Sequence, residues 1–209
     1  MAPGGEGVRT EEEKELIITK VGLVALFIVM VASLVKAELY PALTSVLGMA
    51  LVALPRYVRL KLCMPLPWVL VALTAVVTVL HSMGILLRAY DLVWWWDILT
   101  HMMATSVIAV AANLVITVRG RMAMPSSLPI KYVPLISLGL VIVLGMLWET
   151  VEFAADVFLA QHTQYSLDDT AIDLSVDILG GALVAVLMPP YLERLDDNYG
   201  ICQLNSSEE

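Results

Sequence analysis

Charge is scarce in this chain, and positive charge scarcer still. Only 15% of its 209 residues are Asp, Glu, Lys or Arg, and 12 basic residues stand against 20 acidic ones. A soluble globular domain needs more polar surface than that, and no basic stripe is available for nucleic acid. Cysteine is limited to Cys63 and Cys202, which excludes a disulfide framework and any thiolate metal spacing. The first 15 residues carry five glutamates and lack both the basic start and the small-residue cleavage site of a signal peptide. The first apolar run is therefore expected to stay in the mature chain. Fixed-period repeats and low-complexity segments are absent as well.

What the chain has is apolar length. Hydrophobic residues make up 59% and the mean hydropathy is +0.83, the profile of a polytopic membrane protein. Apolar runs lie at 16–35, 41–55, 68–88, 97–118, 131–160 and 170–189. The second covers about 22 Å as a helix, short for a hydrocarbon core of about 30 Å, so it either extends at its ends or is re-entrant. The expected fold is all-α: one bundle of six transmembrane helices over residues 16–190. It is flanked by a disordered acidic tail at 1–15 and a flexible tail at 191–209.

Charge chooses six spans over five. With both termini cytoplasmic, Arg9, Lys14, Lys20, Arg56, Arg59, Lys61, Arg119, Arg121, Lys131 and Arg194 fall inside, and only Lys36 and Arg88 outside. The positive-inside rule asks for that distribution. Both cysteines then face a reducing compartment, and the expected location is the plasma or inner membrane. The acids divide evenly, ten in the two tails and ten in the outer half. Ten bases offset the inner acids, so the formal charge of −8 belongs to the outer side.

Those outer acids share a depth. Glu149, Glu152 and Asp156 fall within an arc of roughly 60° on one helix, and Asp169, Asp173 and Asp177 within roughly 80° on the next. Counted from the outer helix ends, Asp156, Asp173 and His101 lie about 5–6 Å down, and His81, Asp177, Glu152 and Glu149 about 10–16 Å. His81 with Arg88, and Asp97 with His101, are spaced to share faces. A carboxylate at mid-membrane costs about 2.5–3.5 kcal/mol on insertion scales, so several on adjacent spans need compensation. Cations, protons or a metal can supply it. Carboxylates with one or two imidazoles suit a divalent ion: Mg²⁺, Mn²⁺, Ca²⁺, Zn²⁺ or Fe²⁺. The candidate ligands are His101, Asp97, Glu149, Glu152, Asp169, Asp173, Asp177 and His81.

Bland readings stand beside these. His101 below Asp97 is also a hydrogen-bonded pair closing a helix start, and His81 alone also fits a satisfied interior histidine. Asp168 or Asp169 fits an N-cap before Thr170. Trp94–Trp96 reads as an interfacial belt, and Gly180–Gly181 as a place for close helix approach.

The stretches D-I-L-T-H-M-M from Asp97, L-W-E-T-V-E-F from Leu147 and D-D-T-A-I-D-L-S-V-D-I-L-G-G-A-L from Asp168 carry a resemblance. They resemble the YjdF-like family of inner-membrane proteins and, more distantly, VanZ-like membrane proteins. The resemblance covers roughly residues 88–187, and Asp97, His101, Glu149, Glu152, Asp169 and Asp173 match its motif positions. Ala171 and Asp177 depart from it, standing where an aromatic and an amide or apolar residue are usual. It implies the helical fold and the polar cluster, not an activity.

Three functions fit. The first is a divalent-metal-dependent membrane enzyme acting on a lipid or envelope substrate, with Glu149 or Glu152 as general base and Arg88 steadying an anion. No nucleophile motif accompanies it. The second is a cation- or proton-coupled transporter or binding subunit, against which the inner halves of the spans offer almost no polar residues. The third is a non-catalytic membrane scaffold. Beyond the lipid bilayer and such a substrate, no partner is implied, and the oligomeric state is open.

Overall fold

The computed structural model describes residues 5–62, 67–123, 129–161, 163 and 166–193. Among these residues the α-helices follow one another as α1 (Gly5–Val35), α2 (Leu39–Leu62), α3 (Trp68–Leu86), the short α4 (Ala89–Leu92), α5 (Trp96–Ala123), α6 (Val133–Leu159) and α7 (Leu167–Leu187), with a last helical segment at 189–193. A single 3-10 turn at Ile130–Tyr132 leads into α6. No strand occurs among the described residues. All of these helices but α4 and the last segment are long and apolar enough to cross a membrane. Helices suit this chain because hydrocarbon offers backbone groups no partner, and an α-helix satisfies its own. The exposed Ile17, Val24, Phe27, Leu135, Val143 and Leu179 are what lipid-facing positions require.

The second apolar run is long enough to cross. Its apolar stretch, Leu39–Val58, has 20 residues, about 30 Å of helix, and Pro55 sits inside α2 instead of ending it. The acidic start also differs from expectation. Helix α1 begins at Gly5, and Glu15, assigned above to a disordered tail, is helical and 2% exposed. Lys14 lies over the Trp68 ring at 5.4 Å. Cys63, Cys202, Arg194 and most of the C-terminal tail fall outside the described residues.

By packing, the chain divides into two compact units: residues 1–104 with 155–162, and residues 105–154 with 163–209. In the first, α1, α2 and α3 pack together around Leu26, Val52 and Ala75. A Cβ on Gly22 would stand 3.0 Å from the Ala75 Cβ, so α1 meets its neighbour through a missing side chain. Buried hydroxyls here donate to their own helix. Ser33 bonds the Val29 carbonyl, Thr74 that of Leu70 and Thr78 that of Thr74, each at 2.8 Å.

In the second unit Ala109, Val141 and Val184 form the core. A Cβ on Gly181 would lie 2.9 Å from Leu138 Cδ1 and 3.2 Å from Val141 Cγ1, so the close approach expected of the Gly pair is made there against α6. Ser166 caps α7, its hydroxyl accepting from the Asp169 amide at 3.1 Å. Capping thus belongs to Ser166, not to Asp168 or Asp169, which occupy the first turn where the helix dipole favours negative charge.

Candidate functional site

In the first unit the C-terminal end of α3 and the start of α5 are tied by a directed chain of hydrogen bonds. Thr100 Oγ1 donates to the Asp97 carbonyl at 3.0 Å, and a carbonyl can only accept. Thr100 has then spent its hydrogen and accepts from the Tyr90 hydroxyl at 3.2 Å. Tyr90 has likewise spent its own, so at 2.6 Å it accepts from His81 Nδ1. The His81 ring therefore carries hydrogen on Nδ1, and when neutral its lone pair is on Nε2. The two rings meet edge to face, with centroids 5.8 Å apart.

One turn along α5, His101 Nε2 lies 3.5 Å from Asp97 Oδ1, with His101 7% exposed and Asp97 partly buried. Two sequence expectations change here. Arg88 does not share a face with His81, because α3 ends at Leu86 and Arg88 follows in a left-handed conformation, φ 56°. It is exposed in the turn before α4. Trp96 does not join Trp94 in an exposed belt. It opens α5, and its indole N–H packs against Gly84, where a Cβ would collide with it and with Tyr90.

The second unit holds the deep acids. Glu149 and Glu152 are each 6% exposed, Asp173 is 3% and Asp177 is 2%. The Trp148 indole donates to Glu152 Oε1 at 3.0 Å, and Thr163 Oγ1 donates to the Glu152 carbonyl at 3.1 Å. Asp177 faces Gly145, where a Cβ would stand 2.5 Å from Oδ2, so α6 makes room for this carboxylate by lacking a side chain. Asp169 is partly buried in the first turn of α7.

By chemistry and burial, Asp97 and His101 of the first unit, and Glu149, Glu152 and Asp173 of the second, are side chains that could hold a metal ion. Sequence reasoning missed Tyr90, Thr100 and Trp148. Trp148 was legible as the i−4 neighbour of Glu152 on one helix face. Tyr90 carried no such signal, since its partners come from two other helices.

A family model described as "Predicted membrane protein (DUF2238)" matches residues 18–194 of this chain. An uncharacterised protein of Thermotoga maritima is 34% identical over 105 residues, 48% of this chain and 52% of that protein. The match thus spans about half the length of that relative. No solved structure matches. The VanZ-like likeness gains no support from these matches, whereas the YjdF-like one does.

Proposed function

The chain belongs to the DUF2238 family of multi-pass membrane proteins, and we propose that it holds a divalent cation among the buried acids of its last two spans. One observation carries the proposal. Glu149, Glu152, Asp173 and Asp177 lie in the same unit, each no more than 6% exposed. At about 2.5–3.5 kcal/mol per carboxylate at mid-membrane, four such groups favour a positive guest over four bare charges.

The proposed ligands are drawn from Glu149, Glu152, Asp173 and Asp177, with Asp169 in the first turn of α7 as a further donor of the same unit. The site is proposed to open to the extracytoplasmic side, where the sequence puts the excess negative charge. There the ion would polarise a phosphoryl or acyl oxygen of a lipid or envelope substrate and lower the pKa of its own water. Glu149, buried one turn before Glu152 on α6, is the proposed general base. Arg88, exposed in the turn before α4, is the proposed contact for an anionic headgroup.

The test is elemental analysis of the purified chain together with its melting in detergent. Divalent ion at about 100 times Kd should stabilise it by about 2.7 kcal/mol, and Glu152→Ala should abolish that shift. Lipid phosphate or ester turnover, with and without chelator, then tests the enzymatic half. A metal-free protein whose melting ignores every divalent ion sinks the proposal. A bound ion with no chelator-sensitive turnover across a broad lipid panel leaves the cation and removes the enzyme.

A further inference from the structure

Toward the C-terminal end of α5 the second unit holds a buried polar cluster that contains no acid. Asn113 is 0% exposed, Ser137 1% and Thr117 5%. All three lie within apolar helices long enough to cross a membrane, and Asn113 stands about 15 Å in from the end of α5 at Ala123. The Asn113 amide donates to the Ala109 carbonyl at 2.8 Å and to Ser137 Oγ at 3.0 Å. Ser137 donates in turn to the same carbonyl at 3.0 Å. That carbonyl fixes which way the amide points, since only the NH2 end can donate to it. Both amide hydrogens and the serine hydrogen are therefore spent.

Asn113 Oδ1 and Thr117 Oγ1 are buried without a hydrogen-bond partner among the described residues. Buried hydroxyls elsewhere in the chain, on Ser33, Thr74 and Thr78, donate to the carbonyl four residues back in their own helix. Thr117 makes no such bond, so its hydrogen is uncommitted. One turn earlier on the same face, the Asn113 oxygen is an acceptor that receives none. Residues four apart on a helix stand about 5–6 Å apart at Cβ, a span that one small molecule can bridge. Ser137 Oγ takes the Asn113 hydrogen on one lone pair and carries a second.

The occupant that fits accepts one hydrogen bond, donates two and is small enough for helices to enclose. Water does this. A bare cation cannot accept from Thr117, and no carboxylate belongs to the cluster to offset its charge in hydrocarbon. Along α6, Gly145, which faces Asp177, is eight residues or about 12 Å from Ser137. We propose that Asn113, Thr117 and Ser137 form a binding site for one water molecule within the span, joining α5 to α6. The water accepts from Thr117 Oγ1 and donates to Asn113 Oδ1 and Ser137 Oγ, about the number of bonds a buried water makes. It completes the Asn113–Ser137 link between the helices, so that no polar group of the cluster stands unpaired in hydrocarbon. The site shares no residue with the proposed cation site and is tested apart from it.

The experiment uses the full chain in nanodiscs and an X-ray pulse, which splits bound water into hydroxyl radicals that oxidise the side chains touching it. Mass spectrometry of the peptides then locates the oxidation. In the wild type the segment 109–118 should be oxidised well above Leu179 and Leu183, which are exposed as lipid-facing positions are. Thr117→Val keeps the shape and removes the hydroxyl, so it should lower that oxidation to the level of those leucines, and Thr117→Ser should restore it. Asn113→Leu makes the same test if Thr117→Val is not monodisperse. A wild-type segment oxidised no more than the leucines overturns the site. An undiminished signal in Thr117→Val or Asn113→Leu also overturns it, because the water then lies elsewhere. Melting is compared in sodium, potassium and choline chloride, where equal curves are expected. A rise specific to sodium or potassium that Thr117→Val abolishes overturns the water reading, since the occupant is then a monovalent cation.

Discussion

A single carbonyl oxygen decides the state of a histidine three hydrogen bonds away. Because the Asp97 carbonyl cannot donate, Thr100, Tyr90 and His81 are forced into one direction of hydrogen bonding, and the ring hydrogen falls on Nδ1. Tyr90→Phe keeps the ring and removes the acceptor. Leaving the His81 N–H without that bond should cost about 1–3 kcal/mol of stability, measured by unfolding in detergent. Nitrogen NMR of the imidazole should show Nδ1 protonated in the wild type and the tautomers mixed in the variant. Hydrogen on Nε2 in the wild type would refute the assignment. This arrangement was not legible in the sequence, for a physical reason. Tyr90 follows an exposed turn and precedes three tryptophans, so its local setting is that of an interfacial aromatic, and only packing brings His81 to it. The deep acids were legible because burial of a carboxylate within an apolar run follows from one-dimensional depth alone. Glu15 was not, since a run of glutamates before an apolar span reads as solvated tail.

Among the elements, the six spans were readable because length and hydropathy are local quantities that the bilayer imposes one helix at a time. Errors gathered at the ends. Pro55 looked like a stop, yet proline removes only its own donor, and a helix packed among neighbours in lipid can carry that loss. Arg88 looked helical by spacing, but α3 closes at Leu86. At α7 the run Ser166–Thr170 contains four residues able to cap, and spacing alone does not choose among them; the structure selects Ser166. Ser166→Ala should therefore cost about 1 kcal/mol, whereas Asp168→Ala should cost only a few tenths through the dipole. Hydrogen exchange at the Asp169 amide is the direct readout, and equal protection in both variants would refute the assignment. The cap matters to function because it fixes the first turn of the helix that carries Asp173 and Asp177.

For the whole molecule, orientation joins the chemistry to a compartment. The sequence puts ten of the twelve basic residues on one side of six spans and ten of the twenty acids on the other. Insertion follows the basic residues, so both ends of the chain should be cytoplasmic, with the turns after α1 and α3 outside. Labelling tests this directly. In a chain with Cys63→Ser and Cys202→Ser, a membrane-impermeant maleimide applied to intact cells should modify Glu38→Cys and Asp91→Cys but not Arg56→Cys. Labelling Arg56→Cys alone would invert the molecule. The buried acids would then draw their cation from the cytoplasm. Because the acids keep their places on α6 and α7 in either orientation, the proposed cation would survive that result, and the choice of an envelope substrate would not.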